Sequence, residues 1–222
     1  PYMGGGKMDA PLKKYVQKNY PDGKADLFSV FMEKMMDLTT SIGYIGMITM
    51  HSWMFLSNFE KLRVKIQSHT IINMAHLGTR AFEDIGGEVV QTTAFILQNQ
   101  FRKNYVGSYE RLVDYGSQNE KENVFLEIIK GDNNKDLYRV SQSNFDKIPG
   151  EPIAYWVSKN FLNDFQSGLK VSDFVFSDGQ IKTGNNNLYL RKTWEVNPKF
   201  VGSKNKWALH AKGGNYRRWY GN

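Results

Sequence analysis

An α/β fold is predicted for this chain: the C-terminal part of a doubly wound sheet, followed by a mixed, loop-rich region. Three features of the sequence predict it. Tyr44–Met50 is a short apolar run without polar alternation, which is typical of a strand covered on both faces. Before this run, apolar residues recur at the spacing of a helix, and after it come two closely linked strand candidates. From Gly168 onward, Gly, Asn, Ser and Lys dominate, and extended runs are short.

The helix before the apolar run follows a turn at Asp22 and Gly23. Apolar residues then recur at helical spacing, at Leu27, Phe31, Met35 and Leu38. After the run, Ser57 is followed three residues later by Glu60, a pattern that predicts a capping box and a second helix. The order helix, parallel strand, helix is typical of a doubly wound sheet.

A hairpin is predicted after the second helix. Residues 70–76 and 88–97 are strand candidates, separated by a turn at Gly86 and Gly87. We expect residues 88–97 to run antiparallel to their neighbours, while Tyr44–Met50 is a parallel strand.

The second half of the sequence has weaker patterns. Residues 124–129 and 137–140 predict a further pair of strands, joined by a polar turn. Residues 154–165 predict a short helix, and the composition changes after it. We therefore expect two parts, residues 1–165 and residues 166–222.

Composition excludes several classes of protein. Of the 222 residues, 41% are hydrophobic and 14% aromatic, which is enough to form a core, so an intrinsically disordered chain is excluded. The apolar stretches are too short to span a membrane, and the sequence does not begin with a secretion leader. The absence of Cys fits a cytoplasmic protein and removes thiolate chemistry.

The positive charge is concentrated at one end. Residues 191–222 contain eight basic residues against Glu195 alone, which equals the net +7 of the whole chain. Aromatic residues are interleaved with these charges: Trp194, Phe200, Trp207, Tyr216, Trp219 and Tyr220. A basic segment with aromatics suits a surface that neutralises phosphates. A solvated chain end is the alternative interpretation.

A series of short motifs occurs in a fixed order. The first are Pro1-Tyr2, Gly4-Gly5-Gly6, Gly23-Lys24-Ala25-Asp26-Leu27-Phe28, Gly43-Tyr44-Ile45-Gly46-Met47-Ile48-Thr49-Met50 and Ser52-Trp53-Met54-Phe55. Later ones are Phe59-Glu60-Lys61-Leu62-Arg63, His76-Leu77-Gly78, Thr183-Gly184-Asn185-Asn186 and Lys212-Gly213-Gly214-Asn215-Tyr216-Arg217-Arg218-Trp219-Tyr220-Gly221-Asn222. The series resembles DNA adenine-N6 methyltransferases whose active-site loop reads Asn-Pro-Pro-Tyr. It is similar above all to the large enzymes of phage-exclusion (BREX) and fused restriction-modification systems.

This resemblance implies methyl transfer from S-adenosylmethionine to adenine N6 in double-stranded DNA after base flipping. It assigns catalytic positions to Pro1 and Tyr2, and stacking on the target base to Tyr2 and Phe82. Phe82 could equally be a core residue at the sheet edge. The implied cofactor contacts are Pro1, Lys24, Asp26 and Phe28. In residues 166–222, which the resemblance makes the start of a DNA-recognition region, we predict DNA contacts by Lys182, Thr183, Asn185, Arg191, Lys212, Arg217 and Arg218.

The resemblance also implies what the chain lacks. By this resemblance the chain would begin inside the catalytic loop, without the Asn and first Pro of that loop and without the glycine-rich turn beneath the cofactor. We therefore expect the S-adenosylmethionine site to lie mostly outside this chain, and the chain alone to be inactive.

The residue types argue against two other chemistries, cytosine-C5 methylation and metal binding. Cytosine-C5 methylation needs a cysteine thiolate, and the chain has none. The four histidines have no metal-binding spacing, so no metal site is predicted. Two alternatives remain: a DNA-binding module without turnover, and a structural piece of a restriction or phage-defence assembly whose other subunits would be its partners.

Overall fold

The computed structural model describes residues 2–85, 90–176, 183–202 and 204–210. The chain divides into two compact units, Pro1–Leu169 and Lys170–Asn222. In the first unit the helices are α1 (Ala10–Asn19), α2 (Leu27–Leu38), α3 (Glu60–Gln67), α4 (Gln118–Lys130) and α5 (Lys159–Ser167). Its strands are β1 (Tyr44–Met50), β2 (Thr70–Gly78), β3 (Thr92–Gln98), β4 (Val106–Arg111) and β5 (Leu137–Ser141). The predicted boundary near residue 165 lies within α5.

The five strands form one mixed sheet in the order β1-β3-β2-β4-β5. β3 is antiparallel to both neighbours, β2 and β4 are parallel, and β4 and β5 are antiparallel. The predicted α/β fold and the antiparallel orientation of β3 are therefore confirmed, although residues 86–89 lie outside the described part of the chain. β1 runs in the same direction as β2 and β4, as predicted for a parallel strand, but its ladder with β3 is antiparallel.

α2 covers one face of the sheet. Asp26 caps the helix by accepting a hydrogen bond from the Phe28 amide. Phe28, Met32 and Met36 then enter the main core. The predicted helix is confirmed, but Phe31 and Leu38, two of the residues that predicted it, are exposed. The helix is apolar on nearly every side, so spacing alone could not identify the buried face.

The main core lies between this face of the sheet and the segments packed against it. Its fully buried members include Trp53, Met54, Leu62, Ile66, Ile71, Met74, Tyr109 and Ile153. A smaller cluster lies on the outer side of α2, where Met8, Val16, Tyr20 and Val30 pack together. This second cluster holds α1, a helix that the sequence reasoning did not predict, against α2.

Two predicted elements are corrected by the structure. Residues 124–129 are not a strand but part of α4. Ser117 caps this helix by accepting from the Glu120 amide, and Gly131 ends it with φ of 86°. Residues 137–140 are a strand as predicted, but β5 pairs with β4.

The capping box at Ser57 is also wrong. Ser57–Phe59 forms a 3-10 turn, and α3 starts at Glu60 with no side-chain cap. The predicted helix over residues 154–165 begins later than expected, because Ser158 caps α5 and the residues before it are not helical. Within the described residues no helix is long and apolar enough to cross a membrane.

Candidate functional site

The candidate site lies where three strands of the sheet end. β1, β2 and β4 run in the same direction, so their carboxyl ends meet at one edge, where α/β folds commonly bind ligands. The Tyr2 hydroxyl donates a 3.1 Å hydrogen bond to the Ile48 carbonyl near the end of β1. The Tyr2 side chain is nevertheless 60% exposed. It is therefore an aromatic ring that is held in place yet open to solvent.

Asp26 fixes the segment that carries Tyr2. One carboxylate oxygen of Asp26 accepts hydrogen bonds from the Met3 amide at 3.1 Å and the Phe28 amide at 3.3 Å. The Leu27 amide donates to the Met3 carbonyl at 3.1 Å, and the Gly5 amide donates to the carbonyl of Ala25. Asp26, the residue that caps α2, thus also holds residues 2–5, the Tyr2 loop.

The turn before Asp26 is held by a buried carboxylate. Glu33 accepts a hydrogen bond from the Gly23 amide and forms a 3.1 Å ion pair with Lys65. The Ser29 hydroxyl donates to the Gly23 carbonyl at 2.6 Å. A Cβ at position 23 would lie 2.6 Å from the Ser29 carbonyl oxygen, so this close approach requires glycine.

The Tyr2 ring rests on the core. Its centroid is 6.3 Å from that of Phe28, which in turn lies 5.7 Å from the ring of Phe59. Phe28 and Phe59 are both buried. Phe28 and Phe59 therefore connect the exposed Tyr2 ring to the core, so the position of Tyr2 is supported by packing as well as by hydrogen bonds.

The structure describes the surroundings of three of the residues that were predicted to contact S-adenosylmethionine. Lys24 is exposed, the Asp26 carboxylate is engaged by backbone amides, and Phe28 is buried in the core. Pro1 lies outside the described residues. Contact of these four residues with S-adenosylmethionine remains a prediction.

Phe82 lies in the loop that follows β2 at the same edge of the sheet. It is partly exposed and lines a cleft of about 410 Å³ with Arg80, Ile85, Ser117 and Asn119. The ring is thus not a core residue. Its stacking on a target base remains a prediction.

A cluster of five rings at this edge was not anticipated from the sequence: His51, Phe55, His76, Tyr155 and Trp156. His51 Nδ1 lies 2.7 Å from His76 Nε2, and His76 Nδ1 lies 2.9 Å from the Tyr155 hydroxyl. Burial lowers the pKa of both histidines, that of His76 to about 3. The side chain of Arg111, at the end of β4, lies 5.5 Å from the Trp156 ring centre.

This cluster joins distant parts of the chain. It links the ends of β1 and β2 to the segment before α5, and His51, His76 and Tyr155 are connected through their polar atoms. Neutral imidazoles can donate through one nitrogen and accept through the other, so the row from His51 to Tyr155 is satisfied without charge. In the described part of the chain, no three His, Cys, Asp or Glu residues are arranged to hold a metal ion.

The predicted DNA contacts lie in the second unit. In its described part, Asn185 caps the short helix α6 (Asn186–Tyr189), and the Thr183 hydroxyl donates to Asn186 Oδ1. The exposed Arg191 donates to the carbonyl oxygens of Asn187 and Leu190. Lys182, Lys212, Arg217 and Arg218 lie outside the described residues. A role for these residues in DNA binding remains a prediction.

Comparison with known proteins identifies relatives along the whole chain. The sequence is 49% identical over 232 residues to the adenine-specific methyltransferase PglX of Lacticaseibacillus casei (strain Zhang). It is 40% identical over 232 residues to the adenine-specific methyltransferase BrxX of Escherichia coli O9:H4 (strain HS). Both alignments cover all of this chain, which spans only 19% and 18% of the two relatives.

Two solved structures are more distant. The methyltransferase subunit of a type I restriction-modification system from Streptococcus thermophilus aligns with a TM-score of 0.42 and 12% identity, over 66% of this chain and 33% of that one. A nuclease-deletion mutant of the Type ISP restriction-modification enzyme LlaGI, in complex with a DNA substrate mimic, aligns with a TM-score of 0.46 and 16% identity. That alignment covers 73% of this chain and 18% of the other.

The family match agrees with the order of motifs in the sequence. Residues 1–82, which contain the Tyr2 loop, α2, β1 and Phe82, match the family described as Eco57I restriction-modification methylase. The resemblance inferred from the motifs is therefore confirmed. Residues 1–82 are thus similar to that methylase family, and along its whole length the chain is similar to two adenine-specific methyltransferases.

Proposed function

We propose that this chain forms the target-base side of a DNA adenine-N6 methyltransferase, which acts on double-stranded DNA and uses S-adenosylmethionine as methyl donor. The observation that supports this most strongly is the exposed Tyr2 ring, fixed at the carboxyl edge of the sheet. The names of the relatives, which are adenine-specific methyltransferases, support the choice of base. Most of the cofactor site is provided by parts of the enzyme outside this chain.

The chemistry explains the need for a fixed ring. An enzyme that modifies a base inside a duplex must flip it out, at a cost of a few kcal/mol. Stacking on an aromatic side chain returns about 1–3 kcal/mol per base. Tyr2 is already oriented by its hydrogen bond to the Ile48 carbonyl and by the Phe28 ring, so little entropy is lost when a base stacks on it. Phe82 is the proposed second ring.

The second unit is proposed to bind the DNA backbone. Thr183, Asn185 and Arg191 contribute polar and charged groups there, together with the basic residues nearer the end of the chain. Contacts of this kind position the duplex without reading its sequence. Direct methyl transfer to an exocyclic nitrogen requires no covalent enzyme intermediate, which agrees with a chain that has no cysteine.

Replacing Tyr2 by alanine in the methyltransferase that contains this chain is expected to reduce kcat/KM for a duplex substrate by roughly 5- to 150-fold, because 1–3 kcal/mol of stacking is lost. Tyr2→Phe keeps the ring and loses only the hydrogen bond to Ile48, so a reduction within about tenfold is expected. Methylation is measured as N6-methyladenine formed per unit time, under conditions of limiting substrate.

Tyr44→Ala is the matched control. Tyr44 is also 60% exposed, but it lies at the amino end of β1, away from the proposed site, so its removal is expected to leave the rate unchanged. Equal rates for Tyr2→Ala and Tyr44→Ala would contradict the assignment of Tyr2. A wild-type enzyme that binds duplex DNA without forming N6-methyladenine would instead favour the DNA-binding module.

A further inference from the structure

We propose that the lysines on the outer surface of α1 bind the phosphate backbone of the duplex beside the flipped base. This surface, the α1 lysine face, consists of Lys13, Lys14 and Lys18, all of which are exposed. The inference rests on the proposed function, because it requires that the Tyr2 edge of the molecule meets DNA. It adds a DNA contact within the first unit, separate from the basic end of the chain.

The opposite side of α1 is committed to packing. Val16 is fully buried, and Leu12 packs with it against Val30 of α2. At 3.6 residues per turn, Lys14 and Lys18 lie on the side of the helix away from Leu12 and Val16. The helix is therefore anchored by its apolar side and presents its charges outward.

These charges have no counterpart on the helix. Ala10–Asn19 contains three lysines and no Asp or Glu. Within the described part of the chain, the ion pairs found are Lys65–Glu33 and Arg111–Asp114, and none involves α1. A Glu one turn before a Lys would stabilise the helix by a few tenths of a kcal/mol, and α1 has no such pair. Here the positive charge is left available for an external anion.

The lysine face is tied to the Tyr2 loop by a short series of contacts. Leu12 of α1 packs in the same small cluster as Leu27. The Leu27 amide donates to the Met3 carbonyl at 3.1 Å, and Met3 directly follows Tyr2. The helix that carries the lysines is thus attached through its buried side to the residue that follows Tyr2, rather than lying on a free loop.

Duplex DNA fits this surface better than other acidic partners. Lys14 and Lys18 are four residues apart, a rise of about 6 Å along the helix, so both can contact one row of phosphates. The apolar side that a membrane-surface helix would insert is already buried on α2. Tyr15, exposed between the lysines, offers a further hydroxyl to a phosphate.

The test compares two triple variants of the methyltransferase that contains this chain. One is Lys13→Ala, Lys14→Ala and Lys18→Ala; the control is Lys130→Ala, Lys135→Ala and Lys159→Ala, which removes three exposed lysines elsewhere in the first unit. Kd is measured between 50 and 200 mM salt for a duplex with the target site and for one without it. Three lost phosphate contacts should flatten the slope of log affinity against log salt by about 2.7. Over that range wild-type affinity should fall about 40-fold further than that of the α1 variant.

Further outcomes separate this inference from the proposed function. A Lys→Arg triple at the same α1 positions should restore the wild-type slope, because it keeps the charges. If the α1 variant has the same slope as the control while the wild type methylates DNA, the inference is wrong and the proposed function stands. If the α1 variant alone flattens the slope and the wild type forms no N6-methyladenine, the surface is confirmed and the proposed enzyme activity is wrong.

Discussion

Replacing Arg63 by alanine is expected to lower the free energy of unfolding by about 3–5 kcal/mol. Arg63 is only 1% exposed, and its guanidinium donates four hydrogen bonds to the carbonyl oxygens of Trp53, Leu56 and Gly150. It thereby joins α3 to the turn after β1 and to the loop near residue 150. Removal takes these donors away from the Trp53 and Gly150 carbonyls, leaves the Leu56 carbonyl with the Phe59 amide as its donor, and creates a cavity among them.

Urea unfolding measures this effect. Arg63→Lys should fall between wild type and Arg63→Ala, because one ammonium group cannot reach all three carbonyls in the same geometry. Arg139→Ala is the control, since Arg139 is an exposed residue of β5. If Arg63→Ala unfolded at the same urea concentration as Arg139→Ala, the proposed role of Arg63 as a buried link would be contradicted.

The free energy of unfolding is expected to fall by about 2 kcal/mol between pH 7 and pH 5 because of His76 alone. His76 is 4% exposed, and burial, together with the nearby His51, Arg111 and Lys121, lowers its pKa to about 3. The unfolded chain takes up a proton on this residue as the pH falls through about 6.5. The folded chain does not do so until about pH 3. Stability is therefore fully present above pH 6.5 and is lost progressively below it.

His76→Asn should remove much of this dependence, because asparagine does not titrate. The lowered pKa of His51 acts in the same direction, so a smaller dependence should remain. His69→Asn, which changes a partly exposed histidine just before β2, controls for the replacement of a histidine as such. A His76→Asn profile parallel to that of the wild type between pH 7 and pH 5 would show that His76 is not the titrating group.

The parts of the fold that sequence patterns predicted are those with local signals. The apolar run of β1 and the spacing in α2 each depend on residues close in sequence. α4 was missed because Val124, Phe125 and Leu126 resemble a strand. Yet Ser117, Glu120 and Gly131 supplied a start and a stop that could have identified the helix.

The residues of the candidate site show the same difference between local and distant signals. Tyr2 and Phe82 were predicted from motifs that resemble those of the methyltransferases, and their contacts with a base remain predictions. His51 and His76, by contrast, are 25 residues apart, and Tyr155 is a further 79 residues away, so only the folded sheet brings them together. Asp26, which was predicted to contact the cofactor, caps α2 and holds Met3 through one carboxylate oxygen, and its contact with the cofactor remains a prediction. An aspartate that caps a helix and an aspartate that binds a ligand cannot be told apart from the sequence alone.

The site also explains why the Tyr2 loop needs residues far along the chain. Glu33 closes the turn at Gly23, and its other oxygen pairs with Lys65 on α3. The position of the Tyr2 ring thus depends on α2 and α3 as well as on the loop itself. The proposed stacking of a base on Tyr2 requires a ring that is fixed in this way, by capping nearby and by packing against distant residues.

The central claim is that a flipped base stacks on Tyr2, and photo-crosslinking tests it most directly. A duplex carrying 5-iodouracil in place of the target adenine is irradiated in complex with the methyltransferase that contains this chain, and the modified residue is identified by mass spectrometry. We predict a crosslink at Tyr2 that is absent when the same 5-iodouracil is moved to a non-target position. A crosslink confined to residues away from the carboxyl edge of β1, with Tyr2 unmodified, would contradict the claim.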